Sequence, residues 1–173
     1  DGFTILHLSD LHLDLVHGKD WLRAVVQKTN ALEPDLVALT GDLAEGSVSQ
    51  FGEEVAPLGD LRAPAGVYFV TGNHEYFHDL DGWMELLPAL GIRVLRNERV
   101  PIGQEEGGFE LAGVDDHEGR RFAGGHGPDV KGALQGRDWS RPVILLAHQP
   151  RIIQEASEEG VDLVLCGHTH AGQ

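Results

Sequence analysis

The stretch Asp35-Leu36-Val37-Ala38-Leu39-Thr40-Gly41-Asp42 is a strand-length apolar run that ends on a carboxylate, and the chain repeats this plan four more times. The runs Phe3 to Leu8, Val67 to Thr71, Val143 to Ala147 and Asp162 to Cys166 share its length and β-branched content, the mark of buried strands. Metal-ligand residue types end each run: Asp10-Leu11-His12, Gly41-Asp42, Gly72-Asn73-His74-Glu75, Ala147-His148 and Gly167-His168-Thr169-His170. In an open α/β sheet the site lies in the crevice beyond the carboxyl ends of the strands, so clusters far apart in sequence converge there. Seven nitrogen and oxygen ligands would fill two metal sites.

Working outward, Trp21, Leu22, Val25, Val26 and Leu32 recur at helical spacing within Gly18 to Glu33, and Pro34 stops that helix, giving a βαβ unit. A second helix is expected from about Val48 to Leu61 and a third from Leu80 to Leu90, with Pro88 a kink or early stop. Such units imply an α/β fold with a parallel sheet. From Ile92 short strands separated by turns take over, at Val94 to Leu95, Arg99 to Ile102 and Gly108 to Val114, with Gly103 to Gly107 as a hairpin loop. These are expected to be antiparallel strands of a second sheet. Asp115 to Gly127 reads as a long loop near the site, a candidate substrate lid, and a short helix (Asp129 to Leu134) precedes the fourth ligand-bearing strand.

At 173 residues and 41% apolar content the chain fits a single domain, 1–173. No apolar stretch approaches the ~20 residues that span a bilayer. One cysteine, Cys166, excludes an internal disulfide, leaves the compartment undecided, and reads as a buried inert thiol. A formal charge of −15 opposes a broad contact with nucleic acid or anionic lipid. Divalent cations would still invert the potential inside a pocket and admit phosphate.

Asp10 and His12 are two residues apart, so in extended backbone they point the same way and can chelate one ion; His168 and His170 share that spacing. Carboxylate, imidazole and amide oxygen suit Mn, Fe or Zn, and the absence of thiolates argues against structural zinc. Asp42 is the best-placed bridging carboxylate. Two ions about 3.5 to 4 Å apart would activate a hydroxide and clamp the oxygens of a transferring phosphoryl group.

The ordered series DxH, GD, GNHE, a strand-end His and GHTH, spanning nearly the whole chain, resembles the calcineurin-like metallophosphoesterase superfamily, and its texture is similar to bacterial branches whose members are often membrane-associated. The resemblance implies a two-sheet β-sandwich flanked by helices. It also implies two divalent metals, Mn ahead of Fe or Zn, with Asp10, His12, Asp42 and His170 on one and Asp42, Asn73, His148 and His168 on the other. His74 is then the catalytic imidazole, giving a proton or hydrogen bond to the leaving oxygen. Glu45 matches the acidic residue that orients this histidine in protein Ser/Thr phosphatases, and is a candidate partner of His74. The arginine that follows GD in those phosphatases is absent, with Gly46 in its place, which counts against phosphoprotein substrates. Asp14 and Ala171 stand where related sequences often have Gly.

His7 reads as packed or hydrogen-bonded within its strand; His17, His78, His117 and His126 lie in polar loops, with His78 and His117 as pocket candidates. Arg120 and Arg121 are candidates to grip a second phosphate or a head group. Asp115 and Asp116 read as a strand-ending turn, and Trp21, Trp83 and Trp139 as core or interface packing. The chain opens at Asp1 with neither initiator Met nor signal peptide and stops at Gln173, just after the last motif. A trimmed catalytic domain is therefore expected, membrane-associated in the full-length protein, with an incomplete second sheet that invites self-association. The function implied is a phosphoester hydrolase, with phosphodiesters or pyrophosphate-linked lipids or sugar nucleotides as substrates; a non-catalytic metal-binding scaffold and a metal-dependent nuclease are the alternatives. With no basic groove and a charge of −15, duplex nucleic acid is expected not to bind at physiological salt. Fluorescence anisotropy with a labelled duplex checks this, and submicromolar binding would contradict it.

Overall fold

The computed structural model describes residues 2–104, 107–122 and 127–172. Part of the expected hairpin loop, His126 with the rest of 123–126 in the expected lid, and Gln173 lie outside the described residues. Two four-stranded sheets form the centre. The first orders β1 (Ile5–Leu8), β2 (Leu36–Leu39), β3 (Val67–Phe69) and β4 (Arg93–Val94), all parallel. The second orders β5 (Glu98–Ile102), β6 (Phe109–Gly113), β7 (Val143–Leu146) and β8 (Leu163–Leu165). Only β5 and β6 run antiparallel there; β7 and β8 return to parallel pairing. The antiparallel geometry expected from about residue 92 is thus confined to one hairpin, and Val94 belongs to the first sheet. The later strands are reached by crossovers long enough for parallel pairing, through α5 (Val130–Ala133) and α6 (Ile153–Glu158).

The strands read as nearly continuous apolar runs because both faces of each sheet are covered. Their side chains sort with period two. Leu36 and Ala38 of β2 meet Leu111 and Leu146 between the sheets, whereas Val37 and Leu39 face the opposite way, onto Leu22, Val26, Trp83 and Leu87. Those four come from α1 (Lys19–Ala31) and α4 (Leu80–Ala89). On the far side, Val143 and Leu145 pack against Val130, Ala133 and Ala156 of α5 and α6. The result is helix, sheet, sheet, helix, each layer fixed by apolar burial worth about 1.5 to 3 kcal/mol per large side chain.

The helix expected over Val48 to Leu61 divides into α2 (Val48–Val55) and a 3-10 turn, Ala56–Asp60, because Pro57 has no N–H to continue the ladder. The GNHE segment folds as a short helix, α3 (Asn73–His78), that the strand pattern does not disclose. Trp83 is core, as expected, but Trp139 is exposed and stacked under the Arg137 guanidinium at 3.7 Å, and Trp21 is partly exposed beside His17. Asp115 and Asp116 are buried rather than turned to solvent: Asp115 accepts both arms of Arg96 at 2.9 and 2.8 Å, and Asp116 accepts from Gln149 at 3.0 Å. Burial pushes the Cys166 thiol up to about 11.

Glu75 locks the ends of β2 and β3 together. Its carboxylate, fully buried, accepts backbone N–H bonds from Asp42 at 3.1 Å, Leu43 at 2.9 Å and Gly72 at 2.6 Å. Burial and the nearby Asp42 carboxylate raise its pKa, against the pull of these three donors. A glutamine here keeps one acceptor oxygen and turns an NH2 toward a backbone N–H. Glu75→Gln is therefore expected to cost about 2 to 4 kcal/mol of stability, read as a lower urea midpoint at unchanged m. A change under about 0.5 kcal/mol would show that the clamp is dispensable.

Candidate metal centre

All of the ligand-type residues lie just beyond the carboxyl ends of β1, β2, β3, β7 and β8, on one rim shared by the two sheets. Backbone bonds continue the parallel pairing past the strands and set their height: Asp10 N–H to Gly41 O and His12 N–H to Asp42 O, both 3.1 Å, and Gly167 N–H to His148 O at 2.9 Å. The second sheet is tied to the first at this rim. His148 Nδ1 donates to Thr40 O at 2.6 Å, and the His168 N–H lies 3.0 and 2.9 Å from the two Asp10 carboxylate oxygens.

The backbone of the site is unusual. Asp10, His12, Asp42, His168 and His170 have φ between 41° and 69°, five of the seven non-glycine residues with positive φ among the described residues. Each such residue costs roughly 1 to 3 kcal/mol. The extended backbone expected for Asp10-Leu11-His12 and for His168-Thr169-His170 is therefore absent. The left-handed turns curl the chain so that His12 Nε2 comes 3.8 Å from Asp10 Oδ1 and 3.1 Å from His170 Nε2. Neighbouring glycines make room. A Cβ on Gly72 would collide with the Asp42 carboxylate, and one on Gly167 with Ser9 and Asp10.

Asp42 is the hub. Its Oδ2 is 3.1 Å from His148 Nε2, 3.7 Å from His12 Nε2 and 3.9 Å from His74 Nε2, while Oδ1 accepts the His74 backbone N–H at 2.9 Å. Three groups have ligand atoms lying within 4.8 Å of one another: Asp10, His12 and His170; His12, Asp42 and His74; and Asp42, His148 and His168. Asn73 Oδ1 adjoins the last of these, 3.1 Å from His148 Nε2. Glu45, His74 and His78 make a further group at the mouth.

The donor set fits a bound cation. With Nδ1–H given to Thr40 O, a neutral His148 presents the Nε2 lone pair to Asp42 Oδ2, Asn73 Oδ1 and His168 Nδ1, all within 3.2 Å. Electron pairs converge there, and only positive charge reconciles them. The titration tendencies say the same. Burial opposes charge on His148, but Asp42 outweighs it and the imidazole is pushed up to about 9. His12 is pushed up to about 9 by Asp10, against burial and with help from Glu45. For Asp10, burial is outweighed by His12, the Ser9 hydroxyl and the His168 N–H, which hold its carboxyl below the usual range.

Around these residues runs a support layer that sequence reading did not assign. Ser9 Oγ donates to Asp10 Oδ2 at 2.5 Å, Thr40 Oγ1 donates to Ser9 Oγ at 2.7 Å, and His7 Nε2 lies 2.8 Å from Thr40 Oγ1. His7 is hydrogen-bonded within its strand, as expected. Glu45 touches two imidazoles: Oε1 contacts His12 Nδ1, and Oε2 lies 3.2 Å from His74 Nδ1, at ion-pair distance without hydrogen-bond alignment. Of the pocket candidates, His78 stands at the mouth with its ring 5.7 Å from that of His74. His117, Arg120 and Arg121 do not line the cleft in front of His12, because they form a 3-10 helix, His117–Arg121, that packs on α3. Both His117 ring nitrogens are enclosed without partners among the described residues, and burial, with Arg151 and Arg120, pulls its pKa down to about 4. Arg120 donates to Pro128 O at 3.3 Å, and Arg121 is exposed on Glu118.

Comparison with known proteins follows the same lines. The calcineurin-like phosphoesterase family profile matches residues 3–172. A transmembrane protein with metallophosphoesterase domain from Danio rerio is 42% identical, covering 100% of this chain and 41% of the relative. An uncharacterized metallophosphoesterase of Helicobacter pylori is 40% identical over 98% of this chain and 45% of the relative. The chain thus spans less than half the length of these relatives. Among solved structures, the NAD nucleotidase of Haemophilus influenzae superposes with a TM-score of 0.65 at 20% identity, over 97% of this chain and 43% of the other. The phosphopantetheinyl hydrolase of Mycobacterium tuberculosis gives 0.62 at 16% identity, over 96% and 83%. These two likenesses speak for the fold. A profile match over almost the full chain, on a rim where all five ligand-bearing strand ends meet, places the chain in the calcineurin-like phosphoesterase family.

Proposed function

We propose that this chain is a two-metal phosphoester hydrolase, acting on a phosphodiester or a pyrophosphate-linked small molecule or lipid. The observation that carries this reading is the position of Asp42: one buried carboxylate oxygen faces imidazole nitrogens from three other strand ends. Asp10, His12, Asp42 and His170 would hold one divalent ion, and Asp42, Asn73, His148 and His168 the other. Mn is the first choice, ahead of Fe or Zn. When bound, the pair would neutralise phosphoryl charge and lower the pKa of an attacking water.

The chain's own groups supply the rest. His74 lines the open cleft of about 560 Å³ in front of His12 and holds no place in either ligand set, so its Nε2 is available to give a proton to the departing oxygen. Glu45 acts on two rings through its two oxygens: Oε1 keeps Nδ1–H on His12 so that Nε2 faces the cleft, and Oε2, 3.2 Å from His74 Nδ1, places a negative charge beside that ring. Exposed apolar side chains stand near the mouth: Leu15 and Val16, 98% and 80% exposed, follow Asp14 in the chain, and Phe77, 51% exposed, has its ring 5.8 Å from that of His74. An amphiphilic substrate would cover them. No helix of the described residues is long and apolar enough to cross a membrane, so the membrane association we propose for the full-length protein would reside elsewhere. Relatives described as transmembrane proteins with a metallophosphoesterase domain are consistent with that arrangement.

Ligation and proton transfer are separable by mutation. Asp42→Asn weakens a carboxylate assigned to both ions, so bound metal, measured by elemental analysis, and turnover are expected to fall together. His74→Ala removes no assigned ligand. Both metals are expected to stay while turnover falls by roughly 10² to 10⁴, less for a nitrophenolate than for an alkoxide leaving group. An emptied metal site in His74→Ala, or an equal defect for the two leaving groups, would reverse the assignment. Chelation is expected to abolish turnover and Mn to restore it; full activity in excess chelator would refute a metal mechanism.

A further inference from the structure

The cleft in front of His12 extends away from the ligand cluster onto a wall made by Asp14, His17 and Trp21, with Glu45 and His74 opposite. Asp14 also borders a neighbouring cavity lined by Leu15, Gln50, Phe51 and Glu54, so the wall continues into a groove of mixed polarity. None of the described residues lining the cleft is Lys or Arg. The two arginines best suited by sequence to hold a second phosphate, Arg120 and Arg121, do not line it; Arg120 donates to Pro128 O and Arg121 contacts Glu118. Asp10 is assigned to an ion, which leaves Asp14 and Glu45 as the carboxylates facing whatever is attached to the scissile phosphate.

We propose that this cleft receives an ammonium-bearing alcohol group of a phosphodiester, and that Asp14 is the specificity-determining residue that favours it and turns away a second phosphate. The inference rests on the phosphoester-hydrolase reading above and narrows it. A carboxylate beside an indole is the combination that recognises an alkylammonium: the ring offers a negative face and an apolar wall, the carboxylate the countercharge. A pyrophosphate substrate would instead place its second anion against Asp14 and Glu45, with no Lys or Arg among the described lining residues to offset the repulsion. The geometry of Asp14 suits the role. Its Oδ1 accepts the backbone N–H groups of Val16 and His17 at 2.8 and 2.6 Å, which fixes the carboxylate at the cleft edge. The same oxygen lies 3.3 Å from His17 Nδ1, whose ring meets Trp21 edge-on, while Oδ2 accepts no bond among the described residues and the side chain is 42% exposed, which leaves that oxygen open to a ligand. A glycine at this position would supply neither the turn bond nor the charge.

The test compares three nitrophenyl esters that share a chromophore and differ in the other phosphorus substituent: phosphorylcholine, methyl phosphate and pyrophosphate. With Mn-loaded protein, kcat/KM is expected to favour the choline ester over the pyrophosphate by about tenfold or more. Asp14→Asn keeps the acceptor for Val16 and His17 and removes only the charge; it is expected to narrow that ratio several-fold, mainly through KM. Asp14→Lys is expected to invert it. Calorimetric binding of phosphorylcholine and of inorganic pyrophosphate to the same three proteins reads the preference without turnover, and far-ultraviolet circular dichroism checks that each variant is folded. Preference of the unaltered protein for pyrophosphate, or a choline-to-pyrophosphate ratio that is the same in all three proteins, would overturn the charge filter while leaving hydrolysis intact. Failure of all three esters to turn over with metal bound would instead overturn the hydrolase reading, and the charge filter with it.

Discussion

The carboxylate of Asp42 is the point at which the two halves of the molecule are held to each other. It stands at the end of β2 in the first sheet, yet His148, its nearest imidazole, comes from the end of β7 in the second. The apolar contacts between the sheets, Leu36 and Ala38 against Leu111 and Leu146, fix the separation but allow sliding. Polar bonds remove that freedom at one rim: His148 to Thr40 O and the His168 N–H to Asp10. Bonds to ionised groups are worth about 1.5 to 3 kcal/mol each, and breaking one would leave a buried charge unpaired, which costs more. The site is therefore also the fastening of the fold, so substitutions among its ligands act on stability as well as on chemistry.

That fastening is bought with backbone strain. Five ligand-bearing residues take left-handed conformations where an ordinary side chain is disfavoured, and such conformations persist only where the surroundings over-determine them. Here the surroundings are explicit. Glu75 accepts three backbone N–H bonds from the turns on either side, and Ser9 and Thr40 hold the Asp10 carboxylate from behind. Strained turns curl, and a curled segment brings side chains from residues two apart to one point. Convergence of ligands and departure from regular backbone are the same fact seen from the side chain and from the main chain.

What could be read from the sequence follows from this division. The strands were legible because their apolar runs are bounded by glycine and carry branched residues, and the ligand clusters because they follow strands in order; nothing local hides either signal. The sheet membership of Val94 was not legible, since a two-residue strand carries no periodicity, and neither was the parallel return of β7 and β8, which depends on where α5 and α6 pack. Glu75 stood in view inside Gly72-Asn73-His74-Glu75, but its role needs the knowledge that the β2 turn lies beside it in space. His117, Arg120 and Arg121 look like pocket residues in a glycine-rich loop; they fold onto Tyr76 and α3 because Gly119 lets the backbone approach the Tyr76 ring. The capping pattern that turns Asn73–His78 into a helix, an acidic residue at its third position, was present in the sequence but masked by the stronger metal-ligand reading of the same residues.

The charge of the chain also divides by place. A formal −15 would repel phosphate from most of the surface, and charges separated by more than the ~8 Å Debye length at physiological salt are largely screened from one another. A substrate therefore responds to the few groups within that distance of the cleft. Two divalent ions against Asp10 and Asp42 would leave a local excess of positive charge at the ligand cluster, while Asp14 would keep the adjoining wall negative. The cleft would then be polar along its length, positive at the strand ends and negative toward Trp21. A monoanion with a distal cation would lie along that gradient, whereas a molecule with two phosphates would have to put one of them against it. Orientation of the substrate would follow from the same gradient: the scissile phosphorus would be drawn to the side where His74 lines the cleft, and the distal group to the wall of Asp14 and Trp21.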